Sequence, residues 1–200
     1  MHHPLCFSIA LKDHELSRLL LNECIESGKK YNWLVQPWEA VNGNLITNET
    51  WKSIGVTPLL DRYNMKAPGV QGCFISHFSL WCKSIELNEP IVILEHDALI
   101  HKPWDDNLLK SDKLIKFTPF RPKKGYREDP DSGVWTTGLI AYLIKPIHAK
   151  RAVDFCRRVG ALPADVVIGS NVVDFEHLPD NFMTMNSKMN DKTKSTTNFL

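Results

Sequence analysis

The chain has 200 residues, 43% of them hydrophobic, and a formal net charge of +1. This length suits one domain with a substantial core, and the balanced charge excludes a protein that binds polyanions over its whole surface. No apolar run approaches the roughly 20 residues that span a bilayer, and the N-terminus lacks the layout of a secretory signal. The five cysteines form no Cys-x-x-C pair, so their spacing indicates neither a zinc site nor a disulfide framework.

Strands and helices alternate in the first half of the chain. "LCFSIAL" (Leu5 to Leu11) predicts a strand, and "DHELSRLLLNECIESGKK" predicts a helix with Asp13 as its N-cap and Gly28 near its C-terminal end. "YNWLVQPWEA" predicts a second strand, closed by the turn "VNGN". The order strand, helix, strand suits a right-handed parallel crossover. "GCFISHFSLWCKSIELNEP" then predicts a long helix with a buried apolar side.

The second half continues the alternation. "IVILEHDALI", "KLIKFTPF" and "VWTTGLIAYLIKP" read as strands, "IHAKRAVDFCRRVGAL" as a helix, and "PADVVIGSNVVDFEHLP" as a short helix or strand. Residues 121–133 are rich in Pro, Gly and charge and predict a mobile loop, and 185–200 predict an irregular tail. We therefore expect one α/β domain over residues 1–200, with a mainly parallel central sheet flanked by helices.

The strand "IVIL" runs directly into Glu95, His96 and Asp97. Ligands of open α/β sheets bind beyond the carboxyl ends of the strands. On an extended strand, Glu95 and Asp97 share one face and His96 points the other way. Two converging carboxylates repel unless a cation lies between them, and hard oxygen ligands suit Mg²⁺ or Mn²⁺. The alternative is that these acids are ordinary turn or helix-capping residues.

A longer stretch carries a family resemblance. "GCFISHFSLWCKSIELNEPIVILEHDA" resembles glycosyltransferase family 25, in which a Gly-Cys…Ser-His…Leu-Trp helix precedes an apolar strand ending in Glu-Asp-Asp-Ala. "IALKDHELSR", "WEAVNG", "TTGLIAYLIKPIHAKRAVDF" and "LPADVVIG" resemble further pieces of the family pattern in the same order. The resemblance extends from about Leu5 to Ile168.

This resemblance implies a GT-A-like, Rossmann-related fold, a nucleotide-sugar donor such as a UDP-sugar, and a divalent cation, Mn²⁺ or Mg²⁺. Glu95 and Asp97 would be the acidic motif, with Asp97 as the main metal ligand and a catalytic residue. His96 stands where the family has its middle Asp, which puts the usual ligand set in doubt. The cysteine pattern makes a reducing cytosol the default location, with peripheral association at the inner membrane left open.

Several other side chains are candidates for binding the substrates. Lys12 and Arg18 would serve the nucleotide, and Asn42 and Gly43 the base or ribose; the alternatives are a solvated helix face and an ordinary turn. Ser76 and His77 interrupt an apolar helix and are either ligand contacts or hydrogen-bonded core residues. The remaining candidates near the presumed cleft are Thr136, Thr137 and Gly138.

The family is expected to invert the anomeric carbon, which requires a general base. Asp165 in "PADVV" matches the family's Pro-x-Asp and is the first choice, although it could equally cap a helix after Pro163. Asp174 and His177 are lesser candidates. His177 could instead complete the metal site.

The acceptor could be held by the basic segment "RPKKGYR", because Lys and Arg bind phosphates and Tyr stacks on bases or sugars. This prediction concerns Arg121, Lys123, Lys124, Tyr126 and Arg127. Two acceptors stay open. One is a lipopolysaccharide core sugar, and the other is a hydroxyl-bearing modified base in DNA.

Three classes of function compete. The first is a metal-dependent glycosyltransferase. The second, a nucleotidyltransferase, would need a Gly-rich basic loop after the first strand, and "LKDHELSR" has no glycine. The third is a catalytically degenerate sugar- or nucleotide-binding protein, which His96 favours and the acids Glu95, Asp97 and Asp165 oppose.

Overall fold

The computed structural model describes residues 3–118, 127–137, 139–178 and 182–186. The strands are β1 (Leu5–Ala10), β2 (Val35–Glu39), β3 (Ile91–Glu95), β4 (Ala98–Ile100), β5 (Leu114–Lys116), β6 (Arg127–Asp129), β7 (Gly133–Trp135), β8 (Ala141–Ile144), β9 (Phe175–His177) and β10 (Met183–Met185). The helices are α1 (Glu15–Lys29), α2 (Asn48–Ile54), α3 (Pro68–Leu87), α4 (Pro146–Val159) and α5 (Ala164–Val167). No helix in these ranges is long and apolar enough to cross a membrane.

The central sheet has the strand order β2-β1-β3-β8-β5-β9. β8 is antiparallel to both of its neighbours, and the other five strands share one direction. The predicted α/β fold with a mainly parallel sheet is confirmed. Two small antiparallel pairs, β4 with β10 and β6 with β7, complete the pairing within the described ranges.

The apolar run of β3 is explained by its central place in this sheet. Its residues Ile91–Leu94 are all fully buried. Ile91 and Ile93 lie in the cluster built by α3 and α4, whereas Val92 and Leu94 lie in the cluster that contains Cys24 of α1. Because successive side chains point to opposite faces, a strand covered by helices on both sides must be apolar throughout.

Local predictions differ from the structure in four places. The single strand predicted over "VWTTGLIAYLIKP" is two strands, β7 and β8, in different sheets. The N-cap of α1 is His14, whose Nδ1 accepts the Ser17 amide at 3.3 Å, and not Asp13. The strand predicted over residues 91–100 is broken by a turn at 96–97. The second half of the loop predicted at 121–133 belongs to a hairpin of β6 and β7. The buried carboxylate of Asp129 anchors this hairpin to the segment before α3, because it accepts hydrogen bonds from Arg62 and Tyr63.

The turn after β2 packs closely on α3. A Cβ on Gly43 would lie 1.8 Å from the Pro68 carbonyl oxygen, and one on Gly72 would lie 2.4 Å from the Val41 carbonyl oxygen. Ser76 joins the two segments, since its hydroxyl accepts the Val41 amide at 2.9 Å and donates to the Gly72 carbonyl at 2.7 Å. This packing sets how the end of β2 sits relative to the end of β3.

We expect Ser76→Ala to destabilise the fold by about 1–3 kcal/mol, because it leaves the Val41 amide without its acceptor. Urea unfolding measures the change. Ser53→Ala is the matched control, since the exposed Ser53 hydroxyl donates only to the Thr50 carbonyl of its own helix. Equal, small effects of the two substitutions would contradict the joining role of Ser76.

Candidate active site

Three adjoining cavities lie along the edge of the sheet at which β1, β2 and β3 end. The first, about 570 Å³, is lined by Lys12, Glu39 and Asn42 among others. The second, about 70 Å³, shares Leu11, Ala40 and Val41 with the first. The third, about 250 Å³, shares Cys73, His77 and Glu95 with the second and also contains Asp165. The shared lining residues place the three cavities side by side from Lys12 to Asp165, and we call this row of cavities the track.

The first cavity gathers part of the predicted nucleotide site. Lys12 Nζ lies 2.7 Å from Glu39 Oε1, and both side chains are largely exposed. Asn42 accepts the Asn44 amide at 3.0 Å and caps the short 3₁₀ helix Gly43–Leu45. Arg18 is exposed on α1 and does not line any of the three cavities. Gly43 is buried against Pro68, so its observed role is packing.

Glu95 is held at the junction of the second and third cavities by a chain of core side chains. Trp81 donates to the Tyr142 hydroxyl at 2.8 Å, and that hydroxyl is 2.8 Å from His77 Nδ1. Because Trp can only donate, the tyrosine proton is free to go to Nδ1, which leaves His77 Nε2–H directed at Glu95 Oε1, 3.5 Å away. Burial raises the pKa of Glu95, but the hydrogen bond and charge of His77 outweigh it, and the pKa lies below its ordinary value.

Asp97 lies inside the protein rather than in the cleft. β3 ends at Glu95, the chain turns, and Asp97 is 4% exposed and lines none of the three cavities. Its Oδ1 accepts no hydrogen bond from the described residues. Burial, and then the charge of Glu95, raises the pKa of Asp97 to about 7. His96 lines the second cavity beside Glu95. The expectation that His96 points away holds only for an extended strand, and β3 ends at Glu95.

Asp165 faces the third cavity from the first turn of α5. Burial raises its pKa, and the charge of Lys116 opposes the increase. Lys116 is fully buried, with its Nζ 2.9 Å from Thr136 Oγ1 and 4.4 Å from the centroid of the Phe175 ring. Burial lowers the pKa of Lys116 to about 8, against the charge of Asp165. Sequence reasoning missed Lys116; the signal was a single lysine inside the apolar run "LIKF".

His177 belongs to the Lys116 cluster. Its Nε2 lies 2.9 Å from Thr136 Oγ1 and its Nδ1 lies 2.9 Å from the Thr118 carbonyl oxygen, so both ring nitrogens have hydrogen-bond partners. Asp174, the lesser base candidate, is exposed and lines a different cavity together with Arg151 and Arg158 of α4.

The predicted metal ligands Glu95, Asp97 and His177 are not brought together as one group. In the part of the chain that the structure describes, the group of potential ligands that converges is Cys73, His77 and Glu95, whose ligand atoms lie within 4.8 Å of one another. Burial raises the pKa of the Cys73 thiol well above its ordinary value, and the neighbouring carboxylates raise it further. Of the three residues predicted to bind Mn²⁺ or Mg²⁺, Glu95 is the one that lines the track.

The predicted substrate-binding residues between Arg121 and Gly138 line none of the three cavities or lie outside the described residues. Thr137 is half-buried. Arg127 is exposed, and its guanidinium lies 5.4 Å from the centroid of the Trp135 ring. The other candidates lie outside the described residues, namely Arg121, Lys123, Lys124, Tyr126 and Gly138.

Comparison with known proteins identifies a family. The model of glycosyltransferase family 25, described as an LPS biosynthesis protein, matches residues 29–130, slightly more than half of the chain. No curated protein matches. One similar solved structure, described as a glucose-1-phosphate thymidylyltransferase from Bacillus anthracis in complex with a sucrose, is 8% identical with a TM-score of 0.39, over 97% of this chain and 76% of that chain. A likeness this low supports no functional argument.

The buried carboxyl of Asp97 predicts a pH-dependent stability. Its folded-state pKa of about 7 lies above the unfolded value, so its stabilising contribution is complete below about pH 4 and is lost as the pH rises through about 7. Asn does not titrate. The free energy of unfolding should therefore fall between pH 5 and 8 by about 2–3 kcal/mol more in the wild type than in Asp97→Asn.

Urea unfolding at pH 5, 6, 7 and 8 measures this difference. Asp61→Asn, at an exposed position, serves as the control and should follow the wild type. Identical pH dependence in the wild type and Asp97→Asn would show that the Asp97 carboxyl titrates normally.

Proposed function

The chain belongs to glycosyltransferase family 25, and on this premise we propose that it transfers a hexosyl or pentosyl group from a nucleotide-sugar donor to an acceptor hydroxyl. The family match supports glycosyltransferase activity. The observation that carries the finer proposal is the track of three cavities, with a lysine at one end and the carboxyls Glu95 and Asp165 at the other.

The donor nucleotide, most simply that of a UDP-sugar, is proposed to occupy the first cavity. Its polar wall offers the cation of Lys12, the carboxylate of Glu39 and the amide of Asn42, whereas Val41, Leu45 and Ile46 are apolar. The diphosphate is negatively charged and would bind Lys12 in place of Glu39. The ion pair between Lys12 and Glu39 is exposed and therefore weak, so this exchange costs little. The sugar would then extend along the track toward Glu95.

The transfer step is proposed as a single displacement. The acceptor oxygen forms a bond to the anomeric carbon, the bond from that carbon to the donor's phosphate oxygen breaks, and its electron pair leaves with the nucleoside diphosphate. The acceptor proton passes to the Asp165 carboxylate. One displacement inverts the anomeric carbon, and burial, which raises the pKa of Asp165, makes its carboxylate a stronger base.

A divalent cation, Mn²⁺ or Mg²⁺, is proposed to bind with the donor. Such ions are commonly held by one or two carboxylates together with substrate phosphates, and Glu95 is the predicted metal ligand that lines the track. When bound, the ion would stabilise the negative charge on the departing diphosphate. Asp97 is buried in the turn after Glu95. A catalytic or metal-ligating role for Asp97 stays a prediction.

The acceptor is proposed to be a glycan such as the lipopolysaccharide core, supported by the description of the family. A hydroxyl-bearing modified base in DNA is the alternative. The basic segment predicted to hold either acceptor lies outside the described residues except for Arg127, so a transfer experiment must distinguish the two acceptors.

A transfer screen tests the proposal. The protein is incubated with a set of nucleotide sugars and Mn²⁺, with lipopolysaccharide core oligosaccharides in one arm and hydroxymethylated DNA in the other. We expect product in the glycan arm, with inverted anomeric configuration by NMR. Asp165→Asn should lower turnover roughly 10²-fold or more while keeping donor binding. Asp174→Asn, which lies in another cavity, should leave turnover unchanged.

Two outcomes would contradict this proposal. Stabilisation by a nucleotide without hydrolysis or transfer of any donor would indicate a degenerate binding protein. Product in the DNA arm alone would replace the glycan acceptor by the modified base.

Lys116 should set the pH at which the proposed base works. The charge of Lys116 lowers the pKa of Asp165, so Lys116→Met should raise that pKa and move the acidic limb of the kcat/KM profile upward by roughly 1 pH unit or more. Lys113→Met, an exposed neighbour of β5, is the control. An acidic limb that does not shift in Lys116→Met would show that Lys116 does not set the pKa of the base.

A further inference from the structure

We propose that Cys73, His77 and Glu95 form a binding site for a zinc ion. This site is distinct from the Mn²⁺ or Mg²⁺ proposed above, because it needs no donor and uses sulfur and nitrogen ligands. It shares Glu95 with the proposed catalytic cleft.

The fold brings the three ligands together from two elements. Cys73 and His77 are spaced i, i+4 on α3, which puts their side chains on one face of the helix. Glu95 is the last residue of β3, and the ligand atoms of all three residues lie within 4.8 Å of one another. No Cys-x-x-C spacing is involved, so the cysteine pattern of the sequence could not indicate this site.

The distances suit a tetrahedral zinc shell. His77 Nε2 and Glu95 Oε1 are 3.5 Å apart, which is longer than an ordinary N–H···O hydrogen bond. Zn–N and Zn–O bonds of about 2.0–2.2 Å give a tetrahedron whose N···O edge is about 3.3–3.5 Å. The observed separation therefore matches two ligands that share one ion.

His77 already has the outer partner that a metal-ligating histidine needs. Such residues donate the second ring N–H to a fixed acceptor, and here Nδ1 lies 2.8 Å from the Tyr142 oxygen, which Trp81 holds from its other side. Zinc binding takes the lone pair of Nε2, so the ring proton moves to Nδ1 and is donated to Tyr142. The thiol of Cys73 gives up its proton to solvent as the Zn–S bond forms.

The fourth position of the shell opens onto the cleft. All three ligands line both the second and the third cavity. His96 lines the second cavity beside them, and its buried Nε2 has no hydrogen-bond partner among the described residues. A water from the cleft would complete four-coordination, which is the usual number for zinc.

The ligand chemistry selects zinc over the harder ions. Thiolate and imidazole favour Zn²⁺, whereas Mg²⁺ and Mn²⁺ favour carboxylate, carbonyl and water oxygens. One consequence rests on the proposed function: because Glu95 cannot serve both ions, bound zinc should exclude the donor and its cation and so inhibit transfer.

Direct metal binding tests the site without using any donor. The reduced protein is titrated with Co²⁺, a spectroscopic substitute for Zn²⁺, and Zn²⁺ affinity is measured by competition with a chromophoric chelator. We expect one equivalent of tightly bound metal and a thiolate-to-cobalt absorption band. Cys73→Ser should abolish the band and weaken zinc binding by at least roughly 10²-fold, and Tyr142→Phe should weaken it roughly 10- to 100-fold.

Cys82→Ser is the matched control, because it removes another half-buried thiol from α3 outside the cluster. It should keep both the band and the affinity. The N-terminal histidines can chelate cobalt but cannot produce a thiolate band. No band in the wild type, or equal zinc affinity in Cys73→Ser and the wild type, would overturn the proposal.

The inhibition is read separately from the binding. In the transfer assay, zinc should inhibit the wild type competitively with donor, and Cys73→Ser should resist it. Zinc binding without any transfer would leave the site intact and refute the proposed function. Transfer without zinc binding would support the proposed function and refute the zinc site.

Discussion

Two hydrogen bonds, from Trp81 to Tyr142 and between Tyr142 and His77, link the core to the cleft, where His77 Nε2 lies 3.5 Å from Glu95 Oε1. These contacts join α3, β8 and β3, and because Trp81 can only donate, the proton of Tyr142 is available to His77. A buried chain of this kind is stable only when each member has its partner. The position of Glu95 is therefore fixed by the interior of the protein, and any ligand that enters the cleft meets a carboxylate already oriented.

The same constraint requires α3 to lie close to the ends of β1 and β2. Gly43 and Gly72 allow the backbones of the β2 turn and α3 to approach each other, and Ser76 supplies the hydrogen bonds between them. The first cavity opens on one side of this junction and the third on the other. Gly43 and Ser76, which are candidates for binding substrate, thus shape the site through packing, and Ser76 also lines the second cavity.

Much of the fold and part of the site could be predicted from the sequence. Apolar runs and helical periodicity predict the mainly parallel sheet, and the rule that ligands bind at the carboxyl ends of strands correctly brings Lys12, Asn42 and Glu95 to one edge. Asp97 and His96 could not be placed, because a single turn after Glu95 reverses which side chain faces the cleft. The burial of Lys116 could not be predicted, because lysine is rarely buried and its contacts, Thr136 and Phe175, are distant in sequence.

Like charges held close together explain why this edge suits a cation. Burial raises the pKa of Asp97, Asp165 and Cys73, and the charge of Glu95 raises each of them further. Lys116 offsets this repulsion only from behind Asp165, and His77 only at Glu95. A bound cation would reduce the remaining repulsion and so lower the pKa of these groups. Proton affinity and ligand affinity at this edge are therefore two consequences of the same arrangement of charges.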